Sequence, residues 1–214
     1  MKIILSGEGN SDIGECDYQS KEFIPGPIAI LTEKILNFCH QYEFEFLYKL
    51  RSELKRYPIT LKGKKKKEKQ DATGKGHSDL AYKLGYIAKE EEYDLAVLMR
   101  DAKKQDFQAV YDEIRSGFEA AKFERGVAAV PVPESEAWLI CCFDPKESQR
   151  IEDSKEYMKT VLEQKLSEKH IENNKNTWAE IANLCMIEKI QAPSFRQFKT
   201  DLGQACKQTS FKSY

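Results

Sequence analysis

Three short apolar runs constrain this chain more than any other feature: "KIIL" at 2–5, "DLAVLM" at 94–99 and "GVAAVPV" at 126–132. Each is too short for a helix. Each is continuous rather than alternating, which is the pattern of a strand buried on both faces of a parallel sheet. Stretches with helical spacing separate them. A helix is predicted from Pro27, a residue suited to a first helical position, with Ile28, Leu31, Ile35 and Phe38 on one face. Another runs from about Ser78 with Leu80, Leu84, Ile87 and Ala88 inward, and a third carries Phe107, Val110, Tyr111, Ile114 and Phe118 on one stripe. "YEFEFLYKL" reads as a strand running into a helix, and residues 10–25 read as a polar loop. Alternation of this kind predicts an α/β fold, an open and mainly parallel Rossmann-like sheet flanked by helices.

After Pro145 the strand signals stop. "YMKTVLEQKL", "NTWAEIANLC" and "SFRQFKTDLGQAC" have helical periodicity, and the last two carry capping-box spacings, Thr177 with Glu180 and Ser194 with Gln197. The expected organisation is an α/β domain over 1–145 and a helical C-terminal extension over 146–214 packed on it. The chain has 214 residues and is 41% hydrophobic, enough for a substantial core.

Net charge points to no partner, because 34 basic residues face 35 acidic ones. Local charge says more. "LKGKKKKEKQ" concentrates Lys64, Lys65, Lys66 and Lys67. Such a run is either a solvated loop or a loop that tracks phosphates by releasing counterions. Lys75, Arg100, Lys103 and Lys104 are further candidates for phosphate contact, with plain surface charge as the alternative. The six cysteines include no C-x-x-C and sit mostly among apolar residues, so they read as small hydrophobes in a reducing compartment. No signal peptide and no membrane span is expected, and the expected location is cytoplasmic. "TGKGHS" lacks the spacing of a nucleotide-binding loop, so no organic cofactor is expected. His77 within it reads as structural or solvated. Trp138 reads as a core anchor.

The acids fall in a pattern. In open parallel sheets ligands bind beyond the carboxyl ends of the strands. The first strand is followed by Glu8, with Asp12 just beyond; the strand "DLAVLM" is followed by Asp101; the strand "GVAAVPV" is followed by Glu134 and Glu136. Glu8 could serve a turn, Asp101 a helix cap, and Glu134 and Glu136 a helix dipole. Independent caps have no reason to recur at three strand ends, whereas carboxylates on one edge suit a hard divalent cation such as Mg²⁺ or Mn²⁺.

At these residues the chain resembles the toprim fold, shared by topoisomerases, bacterial primases and the overcoming-lysogenization-defect nucleases. "EGNSD" at 8–12 matches its E-G-x-[ST]-[DE] signature, and Asp101 matches the first Asp of its D-x-D. It is more closely similar to uncharacterised bacterial toprim-like proteins of unknown function, which read E-G-x-[ST]-[DE], R-D-x-D, E-A-W-L-L-A-D-P and P-S-F. The counterparts are "EGNSD", "RDAK", "ESEAWLICCFDP" and "APSFRQF", in order from residue 8 to about residue 200. The resemblance implies a metal-dependent nuclease, a phosphodiester hydrolase acting on nucleic acid. Glu8, Asp101 and Glu136 would be catalytic, and Glu8, Asp101, Glu136, Glu134 and Asp12 would hold Mg²⁺ or Mn²⁺. It further implies phage defence or a mobile element as the setting, and a partner ATPase encoded nearby.

One position departs from the pattern. Lys103 stands where the second Asp of D-x-D is expected. Asp106, Asp12 or Glu134 could supply the missing carboxylate, or the protein could bind one metal. Alternatively Lys103 neutralises Glu8 and Asp101, leaving a binding or regulatory module that does not cut.

Overall fold

The structure, a computed structural model, describes residues 1–16, 23–39, 43–59 and 76–210. Four parallel strands form the central sheet: β1 (Lys2–Gly7), β4 (Glu45–Leu50), β5 (Leu95–Met99) and β6 (Gly126–Ala129), in the order β4-β1-β5-β6. β1 aligns Ile3 with Phe46 on one side and with Leu95 on the other. The apolar runs become strands because both of their faces are covered. Ile3, Leu5, Val97 and Met99 enter one core cluster, while Ile4, Ala96 and Leu98 enter the other.

Helices α4 (His77–Glu90) and α5 (Phe107–Ala120) cover the second of these faces. Ile28, Leu31 and Ile35 of α2 (Pro27–Cys39) pack on the first. The stripe expected on α2 ends there. Phe38, on the last turn, is exposed and carries the Lys199 ammonium 5.3 Å from its ring centroid. The same first face also receives α6 (Ser135–Phe143), α7 (Met158–Glu168), α8 (Lys175–Leu184) and α9 (Pro193–Ser210). The C-terminal helices therefore share one continuous core with the sheet. Trp138 of α6 anchors it, fully buried, edge-on to Phe195 and stacked on Phe198 with both centroids at 5.2 Å.

The described residues within 10–25 are not simply a polar loop. They form a single helical turn, α1 (Asn10–Ile13), and two short antiparallel strands, β2 (Gly14–Cys16) and β3 (Phe23–Pro25). Elements this short carry too few apolar residues to show a period. Gly14 permits this pairing, with φ at 121° and no room for a Cβ, which would lie 2.4 Å from the Ile24 carbonyl oxygen. Helix α3 (Arg51–Arg56) continues directly from β4, as the strand-into-helix pattern predicts.

Two expected caps differ. Asn174, not Thr177, caps α8, its side chain accepting from the Thr177 N–H at 2.9 Å. Ser194 lies inside the first turn of α9, where its hydroxyl donates to Glu152 at 2.6 Å and accepts from Trp138 Nε1 at 2.8 Å. A tertiary partner thus takes the serine that local spacing assigned to a cap.

The order of connections positions the candidate site. From β1 the chain leads outward to β4, crosses back to β5, and leads outward the other way to β6. The direction reverses between β1 and β5, so the crevice beyond their carboxyl ends is the topological switch point of the sheet. Glu8 follows directly on β1, and Asp101 follows β5 after Arg100.

Candidate functional site: an acidic strand edge

Glu8 leaves β1 one residue after Gly7. That glycine is required by packing, since a Cβ there would lie 2.4 Å from Ile13 Cγ1. Gly9 has an extended backbone, φ −145° and ψ 161°, which any residue adopts. The glycine pair therefore does not act as one flexible turn around Glu8: the first brings α1 close to the strand, and α1 carries Asp12 to the edge.

Glu8 is the paired acid of the group. Arg100 Nη1 lies 3.0 Å from its Oε1, and Lys103 Nζ donates to its Oε2 at 3.0 Å. Burial works to raise the Glu8 carboxyl, but Arg100 and Lys103 outweigh it and hold the group below the usual carboxylate value. The hydrogen bond from Lys103 likewise raises the lysine above its ordinary value. Arg100 is buried at the end of β5 and donates through Nε to His77 Nδ1 at 2.9 Å. His77 must be neutral to accept that bond, and burial together with the Arg100 charge lowers it to about 4. The histidine read as a loop residue is a buried partner at the start of α4, where it orients the arginine that holds Glu8.

The other acids are crowded rather than paired. Ser135, at the first position of α6, organises them. Its backbone N–H donates to Asp101 Oδ1 at 3.0 Å, and its hydroxyl contacts Asp12 Oδ1 at 2.6 Å and Glu136 Oε2 at 3.3 Å. One hydroxyl has one proton, so it serves the nearer oxygen, on Asp12, and leaves Glu136 with the weaker contact. Burial raises Asp12 to about 6, with the charges of Glu136 and Glu8 adding to the rise. Burial raises Asp101 further, to about 8, and Asp12, Glu8 and Glu136 reinforce it. Glu134 is raised chiefly by burial and then by Glu136.

The structure thus brings Glu8, Asp12, Asp101 and Glu136 to one edge. Glu134 and Glu136 also stand at the N-terminus of α6, where a helix dipole favours acids. Asp106 does not join them, because it caps α5 and accepts from the Ala109 N–H at 3.2 Å. Arg100 and Lys103 are committed to Glu8. Lys104 is exposed. Lys64, Lys65, Lys66, Lys67 and Lys75 lie outside the described residues. Sequence reasoning missed Ser135 and the pairing role of His77. A serine flanked by two glutamates at a helix start was the available signal for the first; no local pattern announces the second.

The fit to a divalent cation divides the acids. Glu8 does not fit, since a cation of the chain faces each of its oxygens. Asp12, Asp101 and Glu136 fit in donor chemistry: they are hard oxygen donors whose mutual repulsion a divalent cation relieves. Among the described residues no three His, Cys, Asp or Glu side chains are already gathered into a metal-holding group.

Compared with family models, with curated proteins and with solved structures, the chain matches none. The plain result is an α/β protein with a four-stranded parallel sheet flanked by helices. No helix among the described residues is long and apolar enough to cross a membrane.

Proposed function

We propose that this chain is a toprim-like phosphodiesterase that acts on nucleic acid with the help of a divalent cation. The observation that supports it is that Asp12, Asp101 and Glu136 all contact Ser135 at the switch point, with Asp101 pushed up to about 8 by burial and its neighbours' charge. A fold has no structural need to bring three carboxylates together against their own repulsion, and strongly perturbed acids in a crevice mark functional sites. Asp12, Asp101 and Glu136 would hold the cation. When bound, such a cation offsets charge on phosphoryl oxygens and lowers the pKa of a water. Glu8 contributes by holding the half-exposed Lys103 beside the site, with the buried Arg100 fixing the other oxygen of Glu8 from behind. Ser135 sets the spacing of Asp12, Asp101 and Glu136.

A second reading is favoured by one contact, that of Lys103 with Glu8. The chain's own cation occupies the position where the resemblance places a second carboxylate. On this reading the protein binds nucleic acid or a partner protein and does not cut.

Cleavage of labelled DNA and RNA, with Mn²⁺ or Mg²⁺ and with EDTA, separates the two. The phosphodiesterase reading expects metal-dependent cleavage that falls by about a hundredfold or more in Glu8→Gln. Cleavage that is equal in the variant overturns the assignment of this site; cleavage absent from the wild type together with absent Mn²⁺ binding by calorimetry overturns it in favour of the second.

A further inference from the structure

Beside the acidic edge lies a cavity of about 830 Å³, whose walls include Lys103, Lys104, Gln105, Glu134, Lys155 and Tyr157. Its volume falls in the range of small-ligand sites, roughly 300–1,000 Å³. It is continuous with the site already described. Lys103 also bonds Glu8, and Glu134 directly precedes Ser135.

Two properties of the walls indicate what they fit. With Lys103 paired to Glu8, Lys104 and Lys155 form no ion pair among the described residues, and their ammoniums are open to an anion. Tyr157 leaves 59% of its surface exposed immediately before α7, so a large aromatic ring lines the cavity without being used in packing. The wall is also preset. The Lys103 N–H donates to the Pro133 carbonyl at 2.6 Å and the Ala102 N–H to the Pro131 carbonyl at 3.0 Å, which ties the loop after β5 to the segment after β6. Lys103 itself is held at φ 55°, a left-handed conformation uncommon for a lysine.

We infer that this cavity binds one nucleotide of a single-stranded nucleic acid, its base on the Tyr157 ring and its phosphate between Lys104 and Lys155. The adjoining phosphodiester then lies toward Asp101 and Glu136; this direction rests on reading that edge as the phosphodiesterase site. A base that lies flat on an exposed ring has to be unpaired and unstacked, so a strand within a duplex does not qualify.

Fluorescence anisotropy in EDTA tests this without cleavage, using labelled single strands of DNA and RNA and a duplex of the same sequence. Single strands bind more tightly than duplex. Tyr157→Leu weakens single-strand binding by about tenfold, whereas Tyr157→Phe, which keeps the ring, retains it. The double variant Lys104→Gln/Lys155→Gln weakens binding and flattens its salt dependence. Wild type that binds no single strand, or duplex and single strand alike, overturns the inference. So does a Tyr157→Leu variant that binds as wild type does. Binding that depends on the Tyr157 ring in a protein that never cuts would end the phosphodiesterase reading and leave this one standing. Metal-dependent cutting with binding indifferent to Tyr157 would do the reverse.

Discussion

One helical turn of α6 separates Ser135 from Trp138, and the two occupy opposite kinds of surroundings. Around Trp138 each donor meets an acceptor. Its Nε1–H goes to Ser194, whose hydroxyl and backbone N–H both go to Glu152. Around Ser135 acceptors exceed donors, with one hydroxyl proton between Asp12 and Glu136. The first arrangement stabilises the fold. The second costs stability, and it sits in the crevice where the sheet reverses direction. The contrast teaches that two polar clusters so close along one helix are built differently: one closes the core with every donor matched, and the other leaves its acids crowded and short of donors.

The largest test of the contrast is Trp138→Ala. Removing a fully buried tryptophan that packs on two phenylalanines should lower stability by about 3–5 kcal/mol, read from urea denaturation. A loss near that of a surface substitution would mean that α9 does not depend on α6 for its docking.

Next is Ser194→Ala, which leaves the Trp138 N–H and the Glu152 carboxylate short of a partner. Its expected cost is roughly 1–3 kcal/mol by the same measurement.

The third effect has the opposite sign. Asp101 has an ordinary value of 3.8 and is raised to about 8 in the folded chain, so folding takes up a proton between these limits. Native stability therefore falls as pH rises through that window. Asp101→Asn keeps an oxygen for the Ser135 N–H and removes the charge. It should raise stability at pH 8 and change little near pH 4, measured by thermal melts across pH. Destabilisation at pH 8 would show that the edge supports its carboxylates as well as the core supports Trp138, and the contrast would fail.

Much of this was legible in the sequence, for a physical reason. Strands β1, β5 and β6 are apolar on both faces, so their residues show themselves without partners. Once three parallel strands are placed, their carboxyl ends must share an edge, and Glu8, Asp101 and Glu136 follow. The pairing of β2 and β3 was not legible, because it is held by backbone bonds and by the absence of a Cβ at Gly14. Nor were the partners of Ser194 or His77, because Glu152 and Arg100 reach them only after the chain has folded back. Lys103 falls between these cases. Its replacement of a carboxylate is visible in the sequence, and contact with Glu8 was one of the alternatives open there; the structure supplies the distance.

The partnership of Trp138 with Ser194 spans 56 residues of chain. During synthesis α6 is complete long before α9 leaves the ribosome. Until then a tryptophan, and the part of the sheet's first face that α2 leaves open, lack their cover. A ribosome that stalls after α6 would therefore release a product whose sheet strands are all present and whose sticky face is partly open, a natural client for a chaperone or a protease.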